Sequence, residues 1–193
     1  MTAIRYIRER LEPASKEFRT YVIRCFKHMD EYTEPQGNIL YSCILYVCAK
    51  LIGYCPIIVF GKCHISDRVA FYDVWLEIDG HIIDMGLYGN VNFGEVSGYG
   101  CRATSPFIGD YDDENIKYDR FIIGDDWKDH YLHAAENMTI SEYFDNAPDD
   151  LAWHLLFDVL GWEHNRENVE RILNLIGNDV IFYDEKHYID EKS

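Results

Sequence analysis

The sequence predicts an α+β fold: an antiparallel sheet with a central N-capped helix packed on it, plus helices at the N- and C-terminal ends. Three observations carry this. Two segments near the N-terminus repeat apolar residues at helical spacing. Two Ile- and Val-rich strand segments follow, the second closed by an Asp79-Gly80 turn. Beyond about residue 125 the pattern is again mostly helical. A chain of 193 residues, 48% hydrophobic and 15% aromatic, can bury a sizeable core, and a single domain is the expectation. Within it, residues 1–36 read as N-terminal helices, 37–124 as the core and 125–193 as an acidic, mostly helical part.

The elements follow in order. Ile4, Ile7 and Leu11 have helical spacing, and Pro13 interrupts them. Phe18, Tyr21, Val22, Cys25, Phe26 and Met29 mark one face of the next helix. The stretch around Pro35 and Gly37 breaks it. Asn38 can cap a third helix with the stripe Leu40, Cys43, Ile44, Val47, Cys48 and Leu51, stopped by Gly53. Pro56–Ile65 and Phe71–Ile78 read as strands. Asp-Gly at 79–80 favours a two-residue hairpin, which returns through His81–Asp84 and pairs Ile78 with His81. Alternation then places Asp73, Trp75, Glu77 and Asp84 on one face and His81 on the other. Residues 86–109 hold six glycines and read as loops with at least one short strand. Tyr118–Ile123 reads as a strand. Thr139 or Ser141 can open a short helix, Pro148-Asp149-Asp150 a second running to Gly161, and Asn165 a third ending at Gly177. Val180–Tyr183 reads as a last strand.

Charge is unevenly placed. Residues 1–64 carry a net +3 and residues 65–193 a net −19, which together make the overall −16. Such a potential disfavours direct nucleic-acid binding and anionic lipid and favours a basic protein surface. No run of ~18 apolar residues suits a membrane span. Met1–Glu12 alternates charged and apolar residues instead of forming a signal-peptide core, so a cytoplasmic location is expected. The six cysteines show neither a CxxC pair nor zinc-like spacing; no metal or other cofactor is expected.

The run Gly37-Asn38-Ile39, then Leu51-Ile52-Gly53-Tyr54, then Asp73-Val74-Trp75-Leu76-Glu77 through Asp79-Gly80 to Asp84, resembles the transglutaminase-like (papain-related) superfamily of thiol enzymes. The resemblance covers about fifty residues. In that family a Gly-x-Cys opens the helix, a His-x-Trp-x-Glu lies on a strand and an Asp follows on the next. The resemblance puts Ile39 at the nucleophile position and Asp73 at the base position, both without the family's chemistry, and keeps Asp84 as the third member.

Two routes could still supply chemistry. Cys43, one turn after Ile39, can pair with His64 if the strands bring them together; with Asp84 they would make a cysteine-dependent peptidase or acyltransferase. Otherwise Cys43 is core filler. The carboxylates of Asp73, Glu77 and Asp84 around Trp75 can bind Ca²⁺ or Mg²⁺ or accept an Arg or Lys, or Asp73 and Glu77 reach solvent near strand ends. The expected function is a non-catalytic, acidic binding protein with an inhibitory, immunity or regulatory role. Trp75, Glu77, Asp149 and Asp150 are its candidate binding residues and a basic protein its partner. The thiol enzyme is one alternative and a structural or assembly protein another.

Overall fold

The computed structural model describes residues 2–32, 38–66, 69–93, 101–111, 116–120 and 138–182. It is a mixed α+β fold with a five-stranded, wholly antiparallel sheet and, among the described residues, seven α-helices. The helices are α1 (Ala3–Arg10), α2 (Lys16–Tyr32), α3 (Asn38–Leu51), α4 (Gly86–Asn92), α5 (Ile140–Asn146), α6 (Leu151–Leu160) and α7 (Arg166–Ile176). The strands are β1 (Pro56–Ser66), β2 (Val69–Ile78), β3 (His81–Asp84), β4 (Phe107–Gly109) and β5 (Lys117–Arg120), in the order β4-β3-β2-β1-β5.

α3 lies at the centre. Every residue from Ile39 to Ala49 is buried, so the expected stripe is only part of its apolar surface. Its chemistry explains this: among Ile39–Ala49 the only polar side chains are Ser42 and the hydroxyls of Tyr41 and Tyr46, and each has a partner. Ser42 Oγ donates to the Val74 carbonyl at 3.2 Å, Tyr46 OH donates to Asp179 at 2.9 Å, and Tyr41 OH bonds to His28 Nδ1 at 2.9 Å. A helix apolar all round must be covered all round. β1 and β2 pack on one side, while α2, α6 and α7 cover the rest. The buried face of α2 is Phe18, Tyr21, Val22, Cys25, Phe26 and Met29, the face read from its spacing.

The terminal caps follow side-chain chemistry. Thr139 caps α5 with a reciprocal bond to Glu142, and Asn165 caps α7 by accepting from the Asn168 amide. Gly161 and Gly177 end α6 and α7. Four expectations are corrected. Residues 86–92 form a helix despite Gly86 and Gly89, because Leu87 and Val91 bury one turn apart against the sheet. Pro148–Asp150 is a separate 3₁₀ turn, so Asp149 and Asp150 precede α6 and do not lie in its first turn. Val180 makes an isolated bridge to Thr139 in place of a strand. The side chain of Asn38, expected to cap α3, reaches the sheet instead. Of the strand expected at Tyr118–Ile123, residues 117–120 are β5 and the rest lies outside the described residues.

Alternation gives the sheet two apolar faces. Ile58, Phe60, Val74, Leu76, Ile78 and Ile83 face the helical core. Val59, Cys63, Phe71, Trp75 and Ile82 face a second, smaller core with Leu87, Val91, Phe107 and Tyr118. The β2–β3 hairpin has the expected register, Ile78 opposite His81. Its turn residues lie in the left-handed region, Asp79 at φ 53° and Gly80 at φ 84°, as a two-residue hairpin requires. A Cβ at Gly80 would meet no atom within 4 Å. Gly80→Ala is therefore a test of backbone conformation alone and should cost about 1–2 kcal/mol of stability in urea unfolding, with no change in the native spectrum.

Candidate functional site

β2 and β3 bring two aspartates together under the start of α4. Asp73 and Asp84 are 1% and 0% exposed. Asp73 Oδ1 accepts from Asn38 Nδ2 at 2.7 Å and from its neighbour's amide, Val74 N, at 2.8 Å. Asp84 Oδ1 accepts from Leu87 N at 2.8 Å, satisfying an amide of α4's first turn, and Oδ2 accepts from Tyr118 OH at 2.7 Å. That leaves Asp73 Oδ2 buried with no donor of its own. Its neighbour is the Asp84 carboxyl. Two bare carboxylates there would repel without solvent screening, so one must hold a proton.

The environment decides which one. Burial, then repulsion from Asp84, pushes the Asp73 carboxyl well above the ordinary aspartate range. Burial also raises Asp84, but bonds from Tyr118, the Leu87 amide and Asp73 hold it to about 6. Burial and mutual repulsion favour a proton on Asp73 over one on Asp84, and the pair titrates as a unit. The packing around it is tight: a Cβ at Gly86 would lie 2.3 Å from Asp73 Oδ1 and 2.7 Å from the Asn38 Cβ. Cys63 completes the cluster. Burial, followed by the two aspartates, keeps its thiol protonated, which is the opposite of what a nucleophilic cysteine needs.

Asn38, Asp73 and Asp84 therefore form a chain of contacts from helix to strand to strand. The family resemblance puts Ile39 at the nucleophile position on this helix. Ile39 belongs to the helical core, and its neighbour Asn38 is the side chain that meets Asp73. One residue turns a helix by about 100°, so Asn38 and Ile39 face different surroundings. Asn38, Cys63 and Tyr118 were not singled out as site residues from the sequence. Only the antiparallel register, which sets Cys63 opposite both Phe71 and Tyr118, reveals Cys63 and Tyr118.

The structure does not bring Cys43 and His64 together as a catalytic pair. Cys43 is wholly buried in the helical core, and burial alone drives its thiol far up. His64 lies opposite Ala70 on β2 and Lys117 on β5, whereas Asp73 lies opposite Gly61, three residues away along β1. His64 Nε2 bonds to Asp119 Oδ2 at 2.9 Å. Trp75 and Glu77 are interior as well, 0% and 2% exposed, so neither offers a surface to a partner. Trp75 Nε1 donates to Glu77 Oε1 at 2.9 Å, and Tyr111 OH and Arg120 also donate to Glu77. Arg120 is the cation that neutralises Glu77. The solvent-facing placement expected for Asp73 and Glu77 is overturned because α4, β4 and β5 supply side chains that cover this face of the sheet. Asp149 and Asp150 are exposed, both at φ 53°.

Among the described residues, no group of three or more His, Cys, Asp and Glu side chains is arranged to hold a metal ion, and no helix is long and apolar enough to cross a membrane. His130 and His133, whose i, i+3 spacing in the sequence could hold a metal with Asp129 or Glu136, lie outside the described residues. No protein-family model, no curated protein and no solved structure matches this chain.

Two outcomes follow from this geometry. Both aspartates titrate above their unfolded value, so their contribution to stability is complete below about pH 4 and is lost as pH rises through about 6 for Asp84 and higher for Asp73. Asp73→Asn keeps both bonds to Oδ1 and gives Asp84 a permanent donor. Its melting temperature should exceed that of the wild type at about pH 8, and the gap should close towards about pH 5. An equal gap at both values would mean that the pair shares no proton. Iodoacetamide should modify exposed Cys55 first and leave Cys43 and Cys63 unmodified until the chain unfolds. Fast labelling of Cys43 that disappears in His64→Ala would restore the thiol enzyme.

Proposed function

We propose that this chain is a non-catalytic protein with a transglutaminase-like core that binds a basic protein partner in an inhibitory, immunity or regulatory role. Two features support the core assignment. A central helix is followed by a strand and a hairpin, in the order the resemblance implies. The positions the resemblance gives to the base and the acid, Asp73 and Asp84, are neighbours here, and Asn38, beside the Ile39 of the nucleophile position, bonds to Asp73. Their side chains are committed to mutual bonds and to amides, and none is a nucleophile.

The observation that carries the binding role is the surface of the C-terminal helices. Between residues 138 and 182, Glu142, Asp145, Asp149, Asp150, Asp158, Glu163, Glu167 and Glu170 are exposed. Against these eight carboxylates stand two exposed arginines, and both are engaged: Arg166 with Glu170 at 2.7 Å, and Arg171 over the Trp162 ring at 4.5 Å. The acidic excess therefore faces outward on ordered helices, while the apolar sides of those helices hold α3. A field of one sign on a rigid surface steers an oppositely charged partner.

The test is a pull-down from the native host, followed by binding kinetics against ionic strength. Association should slow as the Debye length falls from ~30 Å at 0.01 M to ~10 Å at 0.1 M salt. Because Asp149 and Asp150 occupy left-handed backbone, asparagine is the substitution that removes charge without strain. Asp149→Asn with Asp150→Asn and Glu163→Gln should lower the association rate more than it raises the dissociation rate. Captured partners that are acidic or neutral, or rates indifferent to salt and to these changes, would reduce the charge to a solubility device and overturn the binding role.

A further inference from the structure

His154 and His164 come from different elements, one from α6 and the other from the loop that leads into α7, yet their Nδ1 atoms lie 3.2 Å apart. Both side chains are exposed. Their rings meet edge to face, 4.6 Å between centroids and 86° between planes. His164 is held in place by stacking on Phe157, at 5.0 Å and 23°. Phe157 is itself a fixed core residue, 1% exposed. Two imidazole nitrogens bound to one zinc ion at ~2.0–2.1 Å with near-tetrahedral angles are about 3.2–3.4 Å apart. The two nitrogens share an N–H···N hydrogen bond at this distance, and the same separation lets both bind one metal when that proton is displaced.

We propose that His154 and His164 together form a binding site for one divalent transition-metal ion of the zinc, copper or nickel type. Imidazole is a donor suited to these ions and not to calcium or magnesium, which take oxygen ligands. The surroundings favour a cation. Asp158 lies one helical turn after His154, Asp150 sits just before the start of α6, and Glu163 precedes His164, all exposed. Among the described residues no third protein ligand joins the pair, so water or a donor from a bound molecule fills the other positions. This site does not depend on the basic-partner reading, and either can fail alone.

The experiment uses the full chain with any histidine tag removed, titrated with Ni²⁺ and with Zn²⁺ by calorimetry. The imidazole nitrogens are followed in parallel by NMR. One equivalent should bind, with Nδ1 shifts confined to His154 and His164. His154→Gln and His164→Gln should each weaken binding by at least about tenfold, the lower bound for losing even an outer-shell group, while circular dichroism confirms an unchanged fold. Absence of saturable binding would overturn the proposal. So would a His154→Gln/His164→Gln double variant that binds as the wild type does, or a loss of binding on His130→Gln with His133→Gln and not on the pair proposed.

Discussion

The structure depends on one constraint: α3 has no side that can face water. Eleven consecutive buried residues, Ile39–Ala49, oblige the chain to wrap the helix completely. Each large aliphatic side chain among them contributes about 1.5–3 kcal/mol when fully buried, so exposing any face would be costly. The sheet covers one side. α2, α6 and α7 cover the others although they lie at opposite ends of the sequence, and a single core runs from Ile7 to Phe182. Lys50 and Asp179 reinforce this closure at the end of α3, 2.5 Å apart and each about a quarter exposed. The acidic C-terminal helices are thus part of the fold's covering, and their charge faces outward because their apolar sides are committed to α3.

The sheet's second face poses a different problem. β2 carries Asp73 and Glu77 on the same side as Trp75, and Trp75 is too large and apolar to leave in water. Burying the indole against Tyr118, at 4.9 Å, buries the neighbouring carboxylates with it. The two acids are accommodated in different ways. Glu77 receives a cation, Arg120, and donors from Tyr111 and Trp75. No cation meets Asp73 among the described residues, and burial beside Asp84 favours its protonated form. Asp84 is stabilised as the acceptor by Tyr118 and by the amide at the start of α4. One pair therefore links the ends of β2 and β3, the first turn of α4 and the start of α3. The junction is closed to solvent and acid-rich.

Local patterns determined much of this protein. The uneven charge is a matter of composition, and the buried face of α2, the Asp79-Gly80 hairpin and its register, and the Thr139 and Asn165 caps were legible because each rests on neighbours within about four residues. Helical spacing, hairpin turn chemistry and capping are short-range rules. Tertiary structure decided the rest. Whether α3 shows a polar face, whether residues 86–92 are helical in spite of their glycines, and whether Asp73 and Glu77 meet solvent all depend on what packs over them from distant parts of the chain. The candidate site was legible only as a set of residue types. The other side chains that meet the Asp73–Asp84 pair, Asn38, Cys63 and Tyr118, are brought there by the seating of α3 on the sheet and by the register between strands more than fifty residues apart. Those are long-range contacts, and no local spacing encodes them.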